Sequence, residues 1–81
     1  MAGITEYDLK EHGKSYISGN LKAFLRGKKT INWLIGTFRT AIQSFPLSSQ
    51  DLEDVFDQYK DYGDQERWQE SYVECQDQGW L

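Results

Sequence analysis

Apolar residues recur at helical spacing along most of the chain, most cleanly between Thr30 and Phe45. Ile31, Leu34, Ile35, Phe38, Ala41, Ile42 and Phe45 fall on one side of a helix, in a stripe about 120° wide. An alternating strand pattern cannot reproduce that stripe. The Thr30 hydroxyl can accept from an otherwise orphan N–H at the helix start. Pro46 lacks a donor and forces Phe45 out of the helix. A central helix over residues 30–45 is therefore expected. Its opposite side holds Trp33, Gly36, Thr37, Thr40, Gln43 and Ser44, none of them charged. That side reads either as a second packed face or as a partner or dimer surface anchored by Trp33.

The pattern ahead of this helix is weaker. Residues 1–4 are expected to be loose. Thr5 can cap a first helix running to about Ser18, with Glu6 and Asp8 where the helix dipole favours anions. Gly13 interrupts it, and Ser18-Gly19-Asn20 reads as a turn. Leu21, Ala23, Phe24 and Leu25 then suggest a short helix stopped by Gly27. Arg26-Gly27-Lys28-Lys29 forms a basic elbow into the central helix.

After Pro46 two amphipathic segments follow. Ser48 or Ser49 caps the first, expected over Ser49 to Tyr62. Leu52, Val55, Phe56, Tyr59 and Tyr62 share one side of it, and Glu53, Asp54, Asp57 and Asp61 the other. Gly63 reads as its C-terminal glycine. Asp64 can cap a last helix from Gln65 to about Gln78. Trp68, Ser71, Tyr72 and Cys75 lie on one face there, opposite Glu66, Glu70, Glu74 and Asp77. Gly79 ends it, leaving Trp80-Leu81 as an apolar tail. The expected fold is all-α: a compact bundle of four to five short helices around the helix at 30–45, in a single domain over residues 1–81.

Composition sharpens this picture. A chain of 81 residues buries only about 60–65% of its unfolded surface, so its stability margin is thin. One cysteine and no cluster of metal ligands leave nothing to staple it. Three Trp, five Tyr and four Phe must either fill the core or wait for a partner. No signal-peptide pattern or membrane-length apolar run is present, and a lone cysteine fits a reducing compartment. A soluble cytoplasmic protein without membrane contact is expected.

Charge divides the chain. Residues 1–46 carry seven Lys and Arg against three Asp and Glu, a balance of +4. Residues 47–81 carry two against ten, a balance of −8, and together they make the net −4. Such asymmetry points to an electrostatic partner for one half, or to mutual complementation of the two.

No catalytic constellation emerges, so an enzyme is not expected. His12 is the only histidine and reads as an exposed imidazole. Cys75 lies on an apolar face beside Glu74 and Asp77, the reverse of what activates a thiolate. A calcium loop started at Asp57 would place Tyr59 at a ligand position, Tyr62 at the glycine turn and Trp68 at the closing glutamate. No metal or other cofactor is expected.

Three surfaces remain as binding candidates. Glu53, Asp54, Asp57, Asp61 and Asp64 form an acidic wedge over roughly 16 Å of helix, with Trp33 and Trp80 as aromatic anchors. They suggest a small acidic adaptor or inhibitor docking on a larger protein with a basic surface. Viral and mobile-element modulators of host machinery, DNA mimics among them, fit that class. The uncharged side of the central helix suggests instead a homodimer, or a structural subunit of a larger particle. Lys22, Arg26, Lys28 and Lys29, with Arg39 beyond, could contact phosphates as a nucleic-acid module over 22–39. The sequence pI of about 4.8 weighs against that last reading.

Overall fold

A computed structural model describes residue 3 and residues 5–81. The expectation for residues 1, 2 and 4 lies outside the described residues. Four helices follow one another: α1 over Glu6–Leu25, α2 over Ile31–Ser44, α3 over Ser49–Gln58 and α4 over Gln65–Asp77. Among the described residues there is no strand. The all-α bundle expected from the apolar periodicity is the fold observed, with four helices.

Each helix starts where a short polar side chain can cap it. The Asp8 N–H donates to Thr5 Oγ1 at 3.1 Å, and the Thr5 N–H donates back to the Asp8 carboxylate at 3.3 Å. Trp33 N–H donates to Thr30 Oγ1 at 3.2 Å. Ser48 and Asp51 form a second reciprocal cap at α3, and Asp64 Oδ1 accepts from the N–H groups of Glu66 and Arg67 at α4. Phe45 leaves the helix in extended backbone before Pro46.

Two boundaries differ from expectation. The first 20 helical residues form one unbroken helix rather than two pieces around a turn at Ser18-Gly19-Asn20. Ile17, Leu21, Phe24 and Leu25 are buried at i, i+4, i+7 and i+8 spacing, and their burial outweighs the roughly 1 kcal/mol a mid-helix glycine costs. Gly13 does not interrupt the helix either. It is buried where the α2–α3 connection crosses α1, and a Cβ there would stand 2.7 Å from Phe45 Cβ. At the other boundary, α3 stops at Gln58 instead of reaching Tyr62. The chain tightens into a turn, with Tyr62 N–H donating to the Tyr59 carbonyl at 3.0 Å. The Tyr59 and Tyr62 rings meet edge-on at 5.6 Å.

The helices run up, down, up and down. Gly13 meets Phe45 while Leu25 meets Gly63, so α2 runs against α1 and α3 runs alongside it. Contacts of Phe56 with Trp68 and of Glu53 with Tyr72 set α4 against α3. Helix α1 packs on all three others, and α2 packs on both α1 and α4. Phe56 ties the core together: its ring lies 5.9 Å from Phe38, 5.8 Å from Trp68 and 5.3 Å from Tyr72. Because Gly13 already sits opposite the end of α2, the first two turns of α1 run past it, and the molecule measures 45 × 22 × 19 Å.

Candidate partner-binding surface

The acidic side of α3 is built by amphipathicity. Leu52, Val55 and Phe56 are buried, which turns Asp54 and Asp57 outward. The five carboxylates expected on one wedge do not share it, since α3 ends at Gln58. Asp61 lies in the turn after α3, exposed, and Asp64 serves as the N-cap of α4. Glu53 is half-buried and its carboxylate accepts the Tyr72 hydroxyl. Asp54 accepts from Gln50 Nε2 at 3.0 Å and stands 3.9 Å from Lys14 Nζ. Asp57 and Asp61 have no ion pair or side-chain hydrogen bond among the described residues.

The two charged halves meet along α1 and α3. Lys10 Nζ lies 3.5 Å from Asp51 Oδ2, parallel to the Lys14–Asp54 pair. Asp51 is the one buried carboxylate among the described residues. Burial alone would raise its pKa. The backbone N–H and hydroxyl of Ser48, at 2.8 and 2.9 Å, together with the Lys10 ammonium, outweigh burial and hold it below 3.8.

Trp33 and Trp80 are half-buried and packed against the core. Each faces a cation of its own chain: Lys29 Nζ is 5.0 Å from the Trp33 ring, and Arg39 Cζ is 5.9 Å from the Trp80 ring. On the uncharged side of α2, Trp33, Gly36 and Thr37 are half-buried, while Thr40, Gln43 and Ser44 are exposed. The Thr37 and Thr40 hydroxyls donate to carbonyls of their own helix at 2.8 and 3.0 Å. That side is thus partly covered, and Trp33 is not left open on it.

A second aromatic pair adjoins the acidic surface through the Tyr72–Glu53 bond. Trp68 and Tyr72, one turn apart on α4, stack at 5.1 Å with their planes 10° apart. Both are half-buried. Trp68 Nε1–H donates to the Phe56 carbonyl at 2.8 Å, which locks the indole against α3. The bond to Glu53, then burial and the charges of Glu53 and Asp57, raise the Tyr72 pKa above 10.0. Sequence reasoning assigned both rings only to an apolar face. Their i, i+4 spacing was the available signal that they stack.

The basic elbow is exposed at Arg26, Lys28 and Lys29, and Lys22 is half-buried with its Nζ 5.8 Å from the Tyr62 ring. Arg67 of α4 reaches under the elbow, where its guanidinium donates to the carbonyls of Phe24 and Lys29. Acidic Asp61, Asp64 and Glu66 belong to the same end of the bundle.

Cys75 is fully buried, and burial, with the Glu74 charge second, pushes its thiol up to about 12. It is a protonated core side chain at neutral pH. His12 is exposed on a shallow surface with Asp8, Glu11 and Ser15. A cleft of about 180 Å³ with mixed polar and apolar walls opens between Ile42, Leu47, Ser48, Ser49, Leu52 and Trp80. Among the described residues no three His, Cys, Asp or Glu side chains are placed to hold a metal ion. No helix of the described residues is long and apolar enough to cross a membrane. Comparison of the chain with known protein families, curated proteins and solved structures finds no match.

Proposed function

We propose that this protein is a non-enzymatic binding module that docks on a larger protein through the outward carboxylates of α3, the turn after it, and α4. The observation that supports this reading is the distribution of charge pairing. Lys10 and Lys14 are engaged with Asp51 and Asp54 where α1 lies alongside α3. Asp57 and Asp61 stand exposed with no ion pair among the described residues, although Lys60 lies between them in the chain. On α4, Glu66, Glu70 and Glu74 repeat at i, i+4 spacing, and each like-charge step costs a few tenths of a kcal/mol in an isolated helix. A basic partner surface relieves that repulsion and gains fast, salt-sensitive association.

The test is affinity capture from the native host, at about 0.05 and 0.3 M salt, with mass-spectrometric identification of what is retained. The expected partner carries a basic surface, and its recovery falls with salt and with the double substitution Asp57→Asn, Asp61→Asn. Equal recovery by the double variant removes the acidic-surface reading.

A further inference from the structure

Most of the aromatic rings near the basic residues already face a cation of their own chain. Lys29 stands over Trp33, Lys22 over Tyr62, Arg39 over Trp80 and Arg67 over Phe24, at 4.7 to 5.9 Å. The Trp68–Tyr72 stack differs. It is half-buried, packs at right angles against the Phe56 ring of α3, and has no cation over either ring among the described residues. What stands beside it is negative charge. Glu53 accepts the Tyr72 hydroxyl through one carboxylate oxygen, Oε1, and Asp57 follows one turn later on α3, exposed.

We propose that the stacked Trp68–Tyr72 pair, with Glu53 and Asp57 beside it, receives the guanidinium of an arginine side chain from a basic partner segment. This rests on the acidic-surface reading and names the group that surface takes. Arginine fits better than lysine for a physical reason. Its planar, weakly hydrated guanidinium stacks on aromatic faces while its N–H groups reach a carboxylate side-on. A lysine ammonium is a compact point charge with a stronger hydration shell, and the electrostatics alone would accept it equally. The fixed indole supplies a prepared platform, because Trp68 Nε1–H is already bonded to the Phe56 carbonyl.

The experiment titrates ¹⁵N-labelled protein with a hexa-arginine amide and, separately, a hexa-lysine amide, following the indole N–H signals of the three tryptophans by NMR. The expected result is a shift of the Trp68 signal, with those of Trp33 and Trp80 unmoved. Hexa-arginine should bind about threefold or more tighter than hexa-lysine. Trp68→Leu should weaken hexa-arginine binding by about 3- to 30-fold. If that variant loses its helical circular-dichroism spectrum, Glu53→Gln supplies the same test without touching the core, with an expected loss of about threefold or more. Equal binding of both peptides, abolished by Asp57→Asn with Asp61→Asn but leaving the Trp68 signal unmoved, overturns the arginine receptor and leaves the acidic surface standing. Binding of neither peptide overturns both.

Discussion

Gly63 lies so close to Leu25 that a Cβ on it would stand 2.6 Å from the Leu25 carbonyl oxygen. The same oxygen accepts the Asp64 N–H at 3.1 Å, so the turn into α4 is seated directly on the last turn of α1. Gly63 also has φ of +68°, in the left-handed region that favours glycine.

Gly63→Ala therefore meets two penalties. Left-handed backbone costs a residue with a Cβ about 1–2 kcal/mol. The clash is with a backbone carbonyl, which cannot rotate aside, and overpacking of that kind adds about 1–3 kcal/mol. Gly27 provides the control, since its φ is +79° but nothing lies within 4 Å of an added Cβ. Urea unfolding should show Gly63→Ala destabilised by about 2–5 kcal/mol and Gly27→Ala by only about 1–2. Equal losses would refute the packing account.

The two glycines inside α1 should respond in opposite directions. Gly19 faces open space, and alanine there adds helix propensity, raising stability by about 0.5–1 kcal/mol. At Gly13 the new methyl would lie 2.7 Å from Phe45 Cβ and 3.1 Å from Leu47 Cδ2. Overpacking of about 1–3 kcal/mol outweighs the same gain in propensity. Thermal melts should move up for Gly19→Ala and down for Gly13→Ala. A Gly13→Ala variant as stable as Gly19→Ala would mean the α2–α3 connection yields freely.

That contrast marks what was legible in the chain. Thr5, Thr30, Ser48 and Asp64 announced the helix starts because capping is local, read within three residues. Gly27 and Gly79, both with positive φ, announced two ends for the same reason, whereas Gly63 marks the turn into α4 and not the end of α3, which stops at Gln58. Gly13 could not be read locally, since its reason is a contact with Phe45 and Leu47 on another element. The acidic surface was half legible. Asp54 and Asp57 lie where the helical wheel put them, but the wheel assumed helix as far as Tyr62. Once α3 ends at Gln58, Asp61 falls in a turn and Asp64 becomes a cap. Hydroxyl and cation partners for Glu53 and Asp54, from Tyr72 and Lys14, are tertiary facts with no sequence signal beyond charge sign.

Asp51 should make stability depend on pH in a defined direction. Its folded pKa is depressed, so its contribution is present above the unfolded value of 3.8 and is lost as pH falls through the folded value. Asp51→Ala removes the reciprocal cap with Ser48 and strands Lys10, costing about 0.5–2 kcal/mol at neutral pH. The difference between wild type and variant should shrink below about pH 4. Urea titrations near neutral pH and near pH 3 measure it, and a constant difference would show that the Asp51 charge contributes nothing.

Arg67 should matter through geometry more than through charge. Its Nη1 donates to the Phe24 carbonyl at 3.2 Å and to the Lys29 carbonyl at 3.0 Å, and its guanidinium lies 4.7 Å from the Phe24 ring. One side chain thereby adds a second donor to the Phe24 carbonyl, which already accepts the Gly27 N–H at 3.0 Å, and ties it to the Lys29 carbonyl in the elbow. Lysine keeps the charge but loses the planar fork, so Arg67→Lys should cost about 1–3 kcal/mol in urea unfolding. Because the acceptors are neutral, that cost should be nearly unchanged between about 0.05 and 0.5 M salt. Lys14→Met is the comparison: it removes a 3.9 Å pair with a half-exposed Asp54, worth about 0–1 kcal/mol and screened by salt. A loosened elbow should also free the backbone at Lys28 and Lys29, whose side chains are already exposed, so trypsin should cut there faster in Arg67→Lys. Wild-type stability and cleavage rate in that variant would mean the elbow is held by the backbone bonds of Gly27 and Lys28 alone.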